Sequence, residues 1–302
     1  MLAVKVAVCC DLGMKIGLHV TLHSMLTHLS ADRTVHIFLL HQDFDENDVR
    51  KLLITLDSTK KNYILEAKPV QIHLFRKYRS LLGNYMAYAR LLLVDELPSV
   101  DKLVYLDSDL MVQCDISKLF DSDLGDLCLG AVPGGPFRYA LEHSFYHSLG
   151  FDMDVYAFNS GVLLFDLKQW RQQKILEQCM YFLDKNSEHC LSADQVVLNG
   201  IFYNQYHHLP EKFNICLSTT QKQVGPYPQG ILHLVGSPKP WDAFGEIGNI
   251  HSPLFYEILD QTAYRYWRSW KTLASFRPAR MRGLLRIAKR WYTNRKRVGR
   301  ES

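Results

Sequence analysis

Two aspartates separated by one serine directly follow an apolar run in the middle of the chain. The segment reads Val104-Tyr105-Leu106-Asp107-Ser108-Asp109-Leu110. Because residues two apart on a strand share one face, the carboxylates of Asp107 and Asp109 can converge on one point at a strand end. Two like charges that close repel each other unless a cation lies between them, and carboxylate oxygens suit Mn²⁺ and Mg²⁺. Two interpretations of the triplet stay open: a metal site or, if the triplet is considered in isolation, an ordinary solvated turn.

A histidine and a lysine nearer the C-terminus have the residue types for a second part of such a site. The segment reads His233-Leu234-Val235-Gly236-Ser237-Pro238-Lys239-Pro240-Trp241 and follows the apolar residues Gly230-Ile231-Leu232. We predict that His233 ends a strand, where its imidazole can bind Mn²⁺, and that Lys239 meets a phosphate as a point charge. The alternative is a surface loop stiffened by two prolines, with a core histidine and an exposed lysine.

Apolar runs and helical patterns alternate along the chain and predict the elements that position these residues. The predicted strands are Val4–Cys10, Thr34–His41, Val70–Phe75, Lys102–Leu106, Leu127–Val132 and Phe158–Asp166. The predicted helices are Ile16–Leu29, Asp45–Leu56, Tyr85–Leu97, Lys168–Leu183 and Ala193–Tyr203. This alternation predicts an α/β fold whose mostly parallel sheet is covered by helices on both faces. Ligands bind beyond the carboxyl ends of such strands, where Asp11 and Asp107 stand.

Missing motifs argue against several other classes of protein. The turn from Asp11 to Gly17 lacks the glycine spacing of a dinucleotide-binding fold, and the sequence contains no G-x-x-x-x-G-K-[ST] phosphate loop. The 7 cysteines form no C-x-x-C pair, so we expect reduced thiols and no structural zinc. No apolar run reaches about 18 residues, and Lys5 interrupts the first strand, so we expect neither a membrane span nor a signal peptide.

Taken together and in this order, the motifs resemble those of glycosyltransferase family 8. They are the Asp11 strand end, Tyr88-Ala89-Arg90-Leu91, Tyr105-Leu106-Asp107-Ser108-Asp109, Phe158-Asn159-Ser160-Gly161-Val162, Asp194-Gln195-Val196-Val197-Leu198-Asn199-Gly200 and the H-x-x-G-x-x-K-P-W stretch. The resemblance runs through most of the first 245 residues. It implies a GT-A fold, a Rossmann-like α/β domain that binds a UDP-sugar donor together with a divalent metal.

The resemblance also implies a role for each matching residue. Asp107, Asp109 and His233 look like the ligands of a Mn²⁺ or Mg²⁺ ion that bridges the donor diphosphate and neutralises the charge of the departing UDP. The other residues that it assigns to the donor are Asp11 at the uracil ring, Gly236 and Lys239 at the diphosphate, and Arg90, Asn159 and Asp194 at the sugar, with Ser108 and Ser160 completing the set.

Gln195 resembles the residue nearest the anomeric carbon, on the face opposite the leaving group. Because glutamine is a poor nucleophile, a double displacement fits badly. A front-face route, in which the acceptor attacks beside the departing UDP and the β-phosphate takes its proton, fits better. From the residues alone two alternatives stay open: Gln195 caps an inward-packing helix, and Arg90 forms an ion pair on a helix surface.

Two segments depart from the family pattern. Leu12-Gly13-Met14 stands where an asparagine and a tyrosine often follow the aspartate, although methionine can cover a ring face through its sulfur. The stretch from Val132 to Pro136 lacks an aspartate that some relatives have near the donor and acceptor sugars. The resemblance therefore does not identify the acceptor.

The C-terminal segment has a different composition from the rest of the chain. Residues 276–302 carry 10 basic groups and 1 acidic group, whereas the remaining residues carry 25 basic and 30 acidic groups. Apolar residues recur there at helical spacing, at Met281, Leu284, Leu285, Ala288, Trp291 and Tyr292, opposite Arg282, Arg286, Lys289 and Arg290. A basic amphipathic helix of this kind predicts an anchor on an anionic membrane surface. Docking on its own domain or a partner is an alternative, and nucleic-acid binding is not expected because it leaves the ordered motifs unexplained.

We therefore expect three parts: a GT-A domain over 1–250, an aromatic-rich helical segment over 251–275 and a basic amphipathic tail over 276–302. The expected activity is Mn²⁺-dependent, retaining transfer of galactose or glucose from a UDP-sugar to a glycan or glycolipid, in surface polysaccharide or lipooligosaccharide synthesis. The expected location is the cytoplasmic face of a membrane, as a peripheral protein of the bacterial inner membrane. The alternative is a non-catalytic relative that binds nucleotide-sugars or glycans, although such a protein has no need of converging carboxylates.

Overall fold

The computed structural model describes residues 3–81, 83–219 and 226–268. The basic segment 276–302, and with it the predicted membrane anchor, lies outside the described residues. The domain boundaries expected at residues 250 and 275 therefore stay predictions.

Strands and helices alternate along most of the described chain. The strands are β1 (Val4–Asp11), β2 (Val35–Gln42), β3 (Tyr63–Pro69), β4 (Lys102–Leu106), β5 (Leu110–Val112), β6 (Leu129–Pro136), β7 (Tyr156–Asp166), β8 (His207–His208), β9 (Ile215–Ser218) and β10 (Ile231–Val235). The α-helices are α1 (Lys15–Thr27), α2 (Glu46–Asp57), α3 (Leu93–Glu96), α4 (Ser117–Phe120), α5 (His143–Ser148), α6 (Leu167–Gln172), α7 (Ile175–Asn186), α8 (Asp194–Ile201), α9 (Gly245–Gly248) and α10 (Ser252–Leu259). Short 3₁₀ helices cover His73–Lys77, Met86–Leu92, Phe137–Tyr139, Ser187–His189 and Glu211–Phe213. Within the described ranges, every helix is too short or too polar to traverse a bilayer.

The main sheet has the strand order β3-β2-β1-β4-β7-β6-β8 among the described residues. Strands β3, β2, β1 and β4 pair in parallel, whereas β7 runs antiparallel to both β4 and β6. The predicted α/β class, with a mostly parallel sheet, is confirmed. Because β1 and β4 are parallel neighbours, their carboxyl ends bring Asp11 and the Asp107 turn to the same edge.

Hydrophobic side chains cover both faces of the main sheet. Along β1, Ala7 and Cys9 join one core, whereas Val6 and Val8 join the other, as the alternation of side chains on a strand requires. Helix α8 packs into the first core, and α1 packs into the second. The helices therefore cover both faces, as the sequence predicted.

A small second sheet carries the histidine motif to the D-x-D turn. Its order is β5-β10-β9, with β10 antiparallel to β5 and parallel to β9. In this register His233 lies opposite Leu110, next to Asp109, because β5 follows the turn directly. Helix α10 packs with α1 and Trp241 in a third core, so the described part of the aromatic-rich segment lies against the domain.

The prediction of a strand over Val70–Phe75 is wrong. The third strand is β3, and residues His73–Lys77 form a 3₁₀ helix. Strand β3 lies at the sheet edge, where all of its residues are half-buried or exposed and include the charged Glu66 and Lys68, so it lacks the apolar run of a central strand. Val70 and Ile72 are instead buried in the connection that follows.

Two predicted helices are interrupted. Tyr85–Leu97 contains the 3₁₀ turn Met86–Leu92 and then the single turn α3. Lys168–Leu183 is divided into α6 and α7 at Lys174, whose backbone is left-handed with φ of 54°. Periodicity alone does not detect such breaks, because apolar spacing continues across them. His233 also lies inside β10 rather than at its end.

Candidate active site

Asp107, Asp109 and His233 converge at the carboxyl edge of the main sheet. One ligand atom from each lies within 4.8 Å of the others. Nε2 of His233 is 3.2 Å from Oδ1 of Asp109 and 3.9 Å from Oδ2 of Asp107. Asp109 and His233 are only 7% and 4% exposed, whereas Asp107 is partly open. The two loop aspartates flank Ser108, which is buried with its side chain against that of Cys10.

The electrostatics of this cluster favour a bound cation. Burial alone would lower the pKa of His233, but the charge of Asp109 outweighs burial and raises that pKa to about 10. Burial opposes ionisation of Asp109, yet Lys239 and His233 hold its pKa below the usual range. Oδ1 of Asp109 is buried and, apart from His233, meets no donor among the described residues. Two carboxylates and an imidazole with an under-satisfied buried oxygen fit a divalent metal.

Lys239 lies on the other oxygen of Asp109. Its Nζ is 2.7 Å from Oδ2 and also donates to the carbonyl of Leu234. Gly236 has a φ of 83°, which a residue with a side chain rarely adopts, and among the residues that the structure describes a Cβ there would meet only Thr219 Oγ1 at 4.0 Å. The motif is tied to the Asp11 turn because Trp241 Nε1 donates to the carbonyl of Gly13 at 3.1 Å.

Arg90 is not on a helix surface, so that alternative is wrong. It is buried, with Nη2 2.9 Å from Oδ1 of Asp107 and Nε 3.0 Å from Oδ2 of Asp194. Its guanidinium lies 4.4 Å from the ring centroid of Tyr105, whose hydroxyl donates to Asp107 at 2.8 Å. Arg90 also donates to the carbonyl of Ser160. Arg90 therefore joins one predicted metal ligand to Asp194 at the start of α8.

Asp194 is a buried carboxylate held at an elevated pKa. Burial raises its pKa to about 6, although the charge of Arg90 acts in the opposite direction. Groups with pKa values this far from the reference occur preferentially at functional sites. The site therefore has a second acidic centre, separated from the D-x-D turn by one guanidinium.

Gln195 points to Asn159 rather than capping its own helix. Its Oε1 accepts from Asn159 Nδ2 at 3.0 Å and from the Ser160 backbone N–H at 3.3 Å. Helix α8 begins after Ala193, with no side-chain hydrogen bond at its N-cap. The capping alternative is therefore wrong, and the F-N-S-G and D-Q motifs are brought together by side-chain contact.

Asp11 lies at the same edge but is engaged by its own surroundings. Its Oδ1 accepts from the backbone N–H groups of Gly13 at 2.7 Å and Met14 at 3.1 Å, and its Oδ2 accepts from Asn84 Nδ2 at 2.5 Å. These bonds shape the turn into α1. The contact predicted with uracil therefore has to use the remaining lone pairs of a carboxylate that already accepts three hydrogen bonds.

Gly161 allows Asp107 and His233 to approach each other, a reason for this glycine that the motif alone did not supply. A Cβ at this position would lie 2.2 Å from Cε1 of His233 and 2.9 Å from Oδ2 of Asp107. The backbone carbonyl of Gly161 also accepts from the Asp107 N–H at 2.8 Å. Asn214, which stands in no quoted motif, contacts both His233 and Asn159. Spacing along the chain offered no signal for Asn214.

The site has the parts of a GT-A glycosyltransferase centre. These are a D-x-D turn beyond a central parallel strand, a histidine from an adjoining small sheet and a lysine on the same carboxylate. Comparison with known proteins narrows this class. The family model described as Glycosyl transferase family 8 matches residues 5–245, and the chain belongs to that family. The family predicted from the motifs is confirmed: residues 5–245 form a family 8 glycosyltransferase domain.

Relatives occur in bacteria and plants. Glycosyltransferase GlyE of Streptococcus pneumoniae is 29% identical over 240 residues, which are 74% of this chain and only 54% of GlyE. General stress protein A of Bacillus subtilis is 25% identical over 264 residues, 82% of this chain and 88% of that protein. Probable galacturonosyltransferase-like 9 of Arabidopsis thaliana is 30% identical over 265 residues, 79% of this chain and 67% of that protein.

Solved structures show the same fold. The structure of the galactosyltransferase LgtC, in complex with donor and acceptor sugar analogues, matches this chain with a TM-score of 0.72 at 23% identity. The match covers 85% of this chain and 96% of LgtC. The apo form of GlyE has a TM-score of 0.63 at 24% identity and covers 85% of this chain and 60% of that chain. The GT-A fold predicted from the sequence is confirmed.

Proposed function

We propose that the protein transfers galactose or glucose from a UDP-sugar to a glycan or glycolipid acceptor, with retention at the anomeric carbon and dependence on Mn²⁺. The observation that carries the proposal is the buried cluster of Asp107, Asp109 and His233, with Lys239 on the same carboxylate. The likeness to LgtC, a galactosyltransferase, supports a hexose donor. The acceptor we propose belongs to surface polysaccharide or lipooligosaccharide synthesis.

Different residues of the chain would bind the diphosphate and the sugar of the donor. A metal held by Asp107, Asp109 and His233 would supply charge neutralisation at the diphosphate. Lys239 adds a positive charge there, and Gly236 leaves room for close approach of the backbone. On the sugar side, Arg90 and Asp194 are buried beside Asp107, and Asn159 lies next to Gln195. Planar donors and acceptors of this kind suit a ring of hydroxyl groups.

The hydrogen bonds of Gln195 support the front-face route. Its Oε1 already accepts from two donors, Asn159 and the Ser160 N–H, so its lone pairs are engaged. An amide oxygen in that state is a poorer nucleophile than a free carboxylate. The proposed role of the Nε2 group of Gln195 is to donate to the donor sugar and orient it. The acceptor hydroxyl then attacks beside the departing UDP and passes its proton to the β-phosphate.

The experiment that tests the function is UDP release from a panel of UDP-sugars, with and without Mn²⁺ or Mg²⁺. We expect slow, metal-dependent release from one hexose donor, faster in the presence of a glycan or glycolipid acceptor. The alternative function, a non-catalytic relative that binds nucleotide-sugars, predicts metal-dependent UDP binding in calorimetry without release from any donor. Absence of both binding and release would contradict the proposal.

Gln195→Ala tests the front-face route. We expect it to keep measurable transfer with retained configuration, with a loss of about 100-fold, comparable to removing one transition-state donor. Product configuration is read by the anomeric proton coupling in NMR. Activity no higher than a blank without enzyme, with unchanged thermal stability, would instead favour a covalent intermediate on Gln195.

Metal binding should strengthen with pH. Because the pKa of His233 is raised to about 10, its imidazole holds a proton at neutral pH that a metal at Nε2 must displace. We expect the Mn²⁺ affinity to rise about tenfold per pH unit between pH 6 and 8, with release of about one proton. The free Mn²⁺ signal in electron paramagnetic resonance measures this affinity. An affinity that does not change over this range would contradict it.

We also propose that residues 276–302 hold the enzyme as a peripheral protein on the cytoplasmic face of a membrane. Their 10 basic groups support the proposal, since each is worth about 1 kcal/mol near anionic lipid. The full chain should float with vesicles containing anionic lipid at low salt and be released at high salt. Replacing Arg282, Arg286, Lys289 and Arg290 with glutamate should abolish flotation. Equal binding to DNA and to vesicles would contradict a membrane-specific role.

A further inference from the structure

Asn214 lies between the proposed metal site and the proposed sugar site. It is buried, with Oδ1 3.0 Å from Nδ1 of His233 and Nδ2 3.0 Å from Oδ1 of Asn159. Asn159 in turn donates through Nδ2 to Oε1 of Gln195 at 3.0 Å. Three side-chain amides therefore form an unbroken chain of hydrogen bonds from His233 to Gln195.

The backbone sets the direction of this chain. The N–H of Gly161 donates to the side chain of Asn159 at 3.0 Å, and a backbone N–H can only donate, so the atom of Asn159 that it meets is the oxygen. The atom of Asn214 that faces the same oxygen must be a donor, its Nδ2. Asn214 therefore presents its carbonyl oxygen to His233, and Nδ1 of His233 must carry a proton.

A proton held on Nδ1 determines what the other ring nitrogen can do. Nε2 faces Oδ1 of Asp109 at 3.2 Å and Oδ2 of Asp107 at 3.9 Å. With Nδ1 protonated, a neutral His233 has its one lone pair on Nε2, directed at the two carboxylates. The opposite tautomer would place an N–H in the metal position and an unpaired lone pair against the oxygen of Asn214.

We propose that Asn214 is a positioning residue that holds His233 with its proton on Nδ1, so that Nε2 can bind the metal, and that couples this ligand to Asn159. The inference rests on the proposed function, because it assumes that the cluster binds a divalent cation. Hydrogen-bond partners of metal-bound histidines contribute about 10- to 100-fold to metal affinity. Strands β9 and β10 support the arrangement, because Cys216, two residues after Asn214, is the register partner of His233.

Three variants of the full chain separate the two hydrogen bonds of Asn214, one with His233 and one with Asn159. Asn214→Ala and the nearly isosteric Asn214→Leu cannot accept from His233, and both should weaken Mn²⁺ binding about 10- to 100-fold. Asn214→Asp still accepts from Nδ1 but sets an oxygen against Oδ1 of Asn159. It should bind Mn²⁺ at least as tightly as the natural chain while kcat for UDP release falls. A residue with only a structural role would not separate metal affinity from turnover.

The metal affinity is measured with Mn²⁺ alone, by electron paramagnetic resonance of the free ion. Asn186→Ala is the matched control, because it removes a side-chain amide whose one hydrogen bond within the described part of the chain goes to the carbonyl of Phe182 at the end of α7. A second measurement is the ¹⁵N spectrum of His233 with Mg²⁺ and UDP bound. The natural chain should show a slowly exchanging proton on Nδ1, and Asn214→Leu should lose that slow exchange.

The possible outcomes distinguish a failure of the inference about Asn214 from a failure of the proposed function. Folded Asn214→Leu with Mn²⁺ affinity within twofold of the natural chain, or equal losses in Asn214→Leu and Asn214→Asp, overturns the inference alone. If the folded natural chain binds no Mn²⁺, the metal site and the inference fall together. If it binds Mn²⁺ but releases UDP from no donor, the sugar-transfer proposal fails, while the split in metal affinity among the variants still supports the role of Asn214.

Discussion

Asp109→Asn should abolish metal-dependent turnover. The carboxylate of Asp109 is buried between His233 Nε2 at 3.2 Å and Lys239 Nζ at 2.7 Å, so an amide there loses the charge that balances both groups. Interactions that stabilise developing charge in a closed site are worth about 10²–10³ each, and here the metal and the lysine are both affected. We therefore expect UDP release to fall by at least about 1000-fold, toward the background rate.

The measurement pairs kinetics with stability. Removing one partner of a buried ion pair is destabilising, so the thermal midpoint of Asp109→Asn should also fall. Assays are therefore run well below that midpoint, and Mn²⁺ binding is measured on the same sample. Asp126→Asn, at an exposed aspartate, is the control and should behave as the natural chain does. Metal-dependent turnover within tenfold of the natural chain in Asp109→Asn would contradict the assignment of Asp109 as a ligand.

Gly161→Ala should disrupt the same site without removing any functional group. Its methyl carbon would lie 2.2 Å from Cε1 of His233 and 2.9 Å from Oδ2 of Asp107, closer than such atoms approach. His233 and Asp107 must then move apart, because the backbone of Gly161 is fixed to Asp107 N by a 2.8 Å hydrogen bond. Since a misplacement of about 1 Å costs about 10²-fold in catalysis, we expect at least that loss in turnover.

Gly135→Ala is the matched control for Gly161→Ala. A Cβ at Gly135 would meet no atom of the described residues within 4 Å, and its backbone needs no left-handed conformation. It should therefore retain normal Mn²⁺ affinity. If Gly161→Ala is folded and also binds Mn²⁺ normally, the close approach of these groups is not needed for the metal site, and our account of the F-N-S-G motif is wrong.

The sequence predicted the buried centre of the sheet well and its margin poorly. Strands β1, β2 and β4 are mostly apolar because both of their faces are covered, and they were predicted within a few residues. Strand β3 at the edge carries Glu66 and Lys68 and was missed, and the neighbouring apolar residues Val70 and Ile72 were wrongly assigned to a strand. An apolar run records burial, and burial is shared by strands, 3₁₀ turns and connections alike.

The candidate site, like the sheet, was predicted from the sequence only in part. Asp107 and Asp109 are two residues apart on one segment, so their convergence follows from strand geometry alone. The ion pair of Arg90 with Asp194 joins residues that are far apart in the sequence. The hydrogen bond of His233 with Asn214 joins a motif residue to one that stands in no motif. Those pairs exist because β10 pairs with β5 and β9, and because α8 packs under the 3₁₀ turn that carries Arg90.

By itself, the sequence determined the family and the fold class and led to the proposed metal ligands, because these depend on residue type and on order along the chain. Only the tertiary structure decided that Arg90 is a buried bridge, that Gln195 turns to Asn159, and that Gly161 leaves room for His233. It also brought in Asn214, whose role depends on which atom faces which. The physical reason is that hydrogen bonds and close packing act over about 3–4 Å in space, and spacing in the chain does not specify such distances between separate elements.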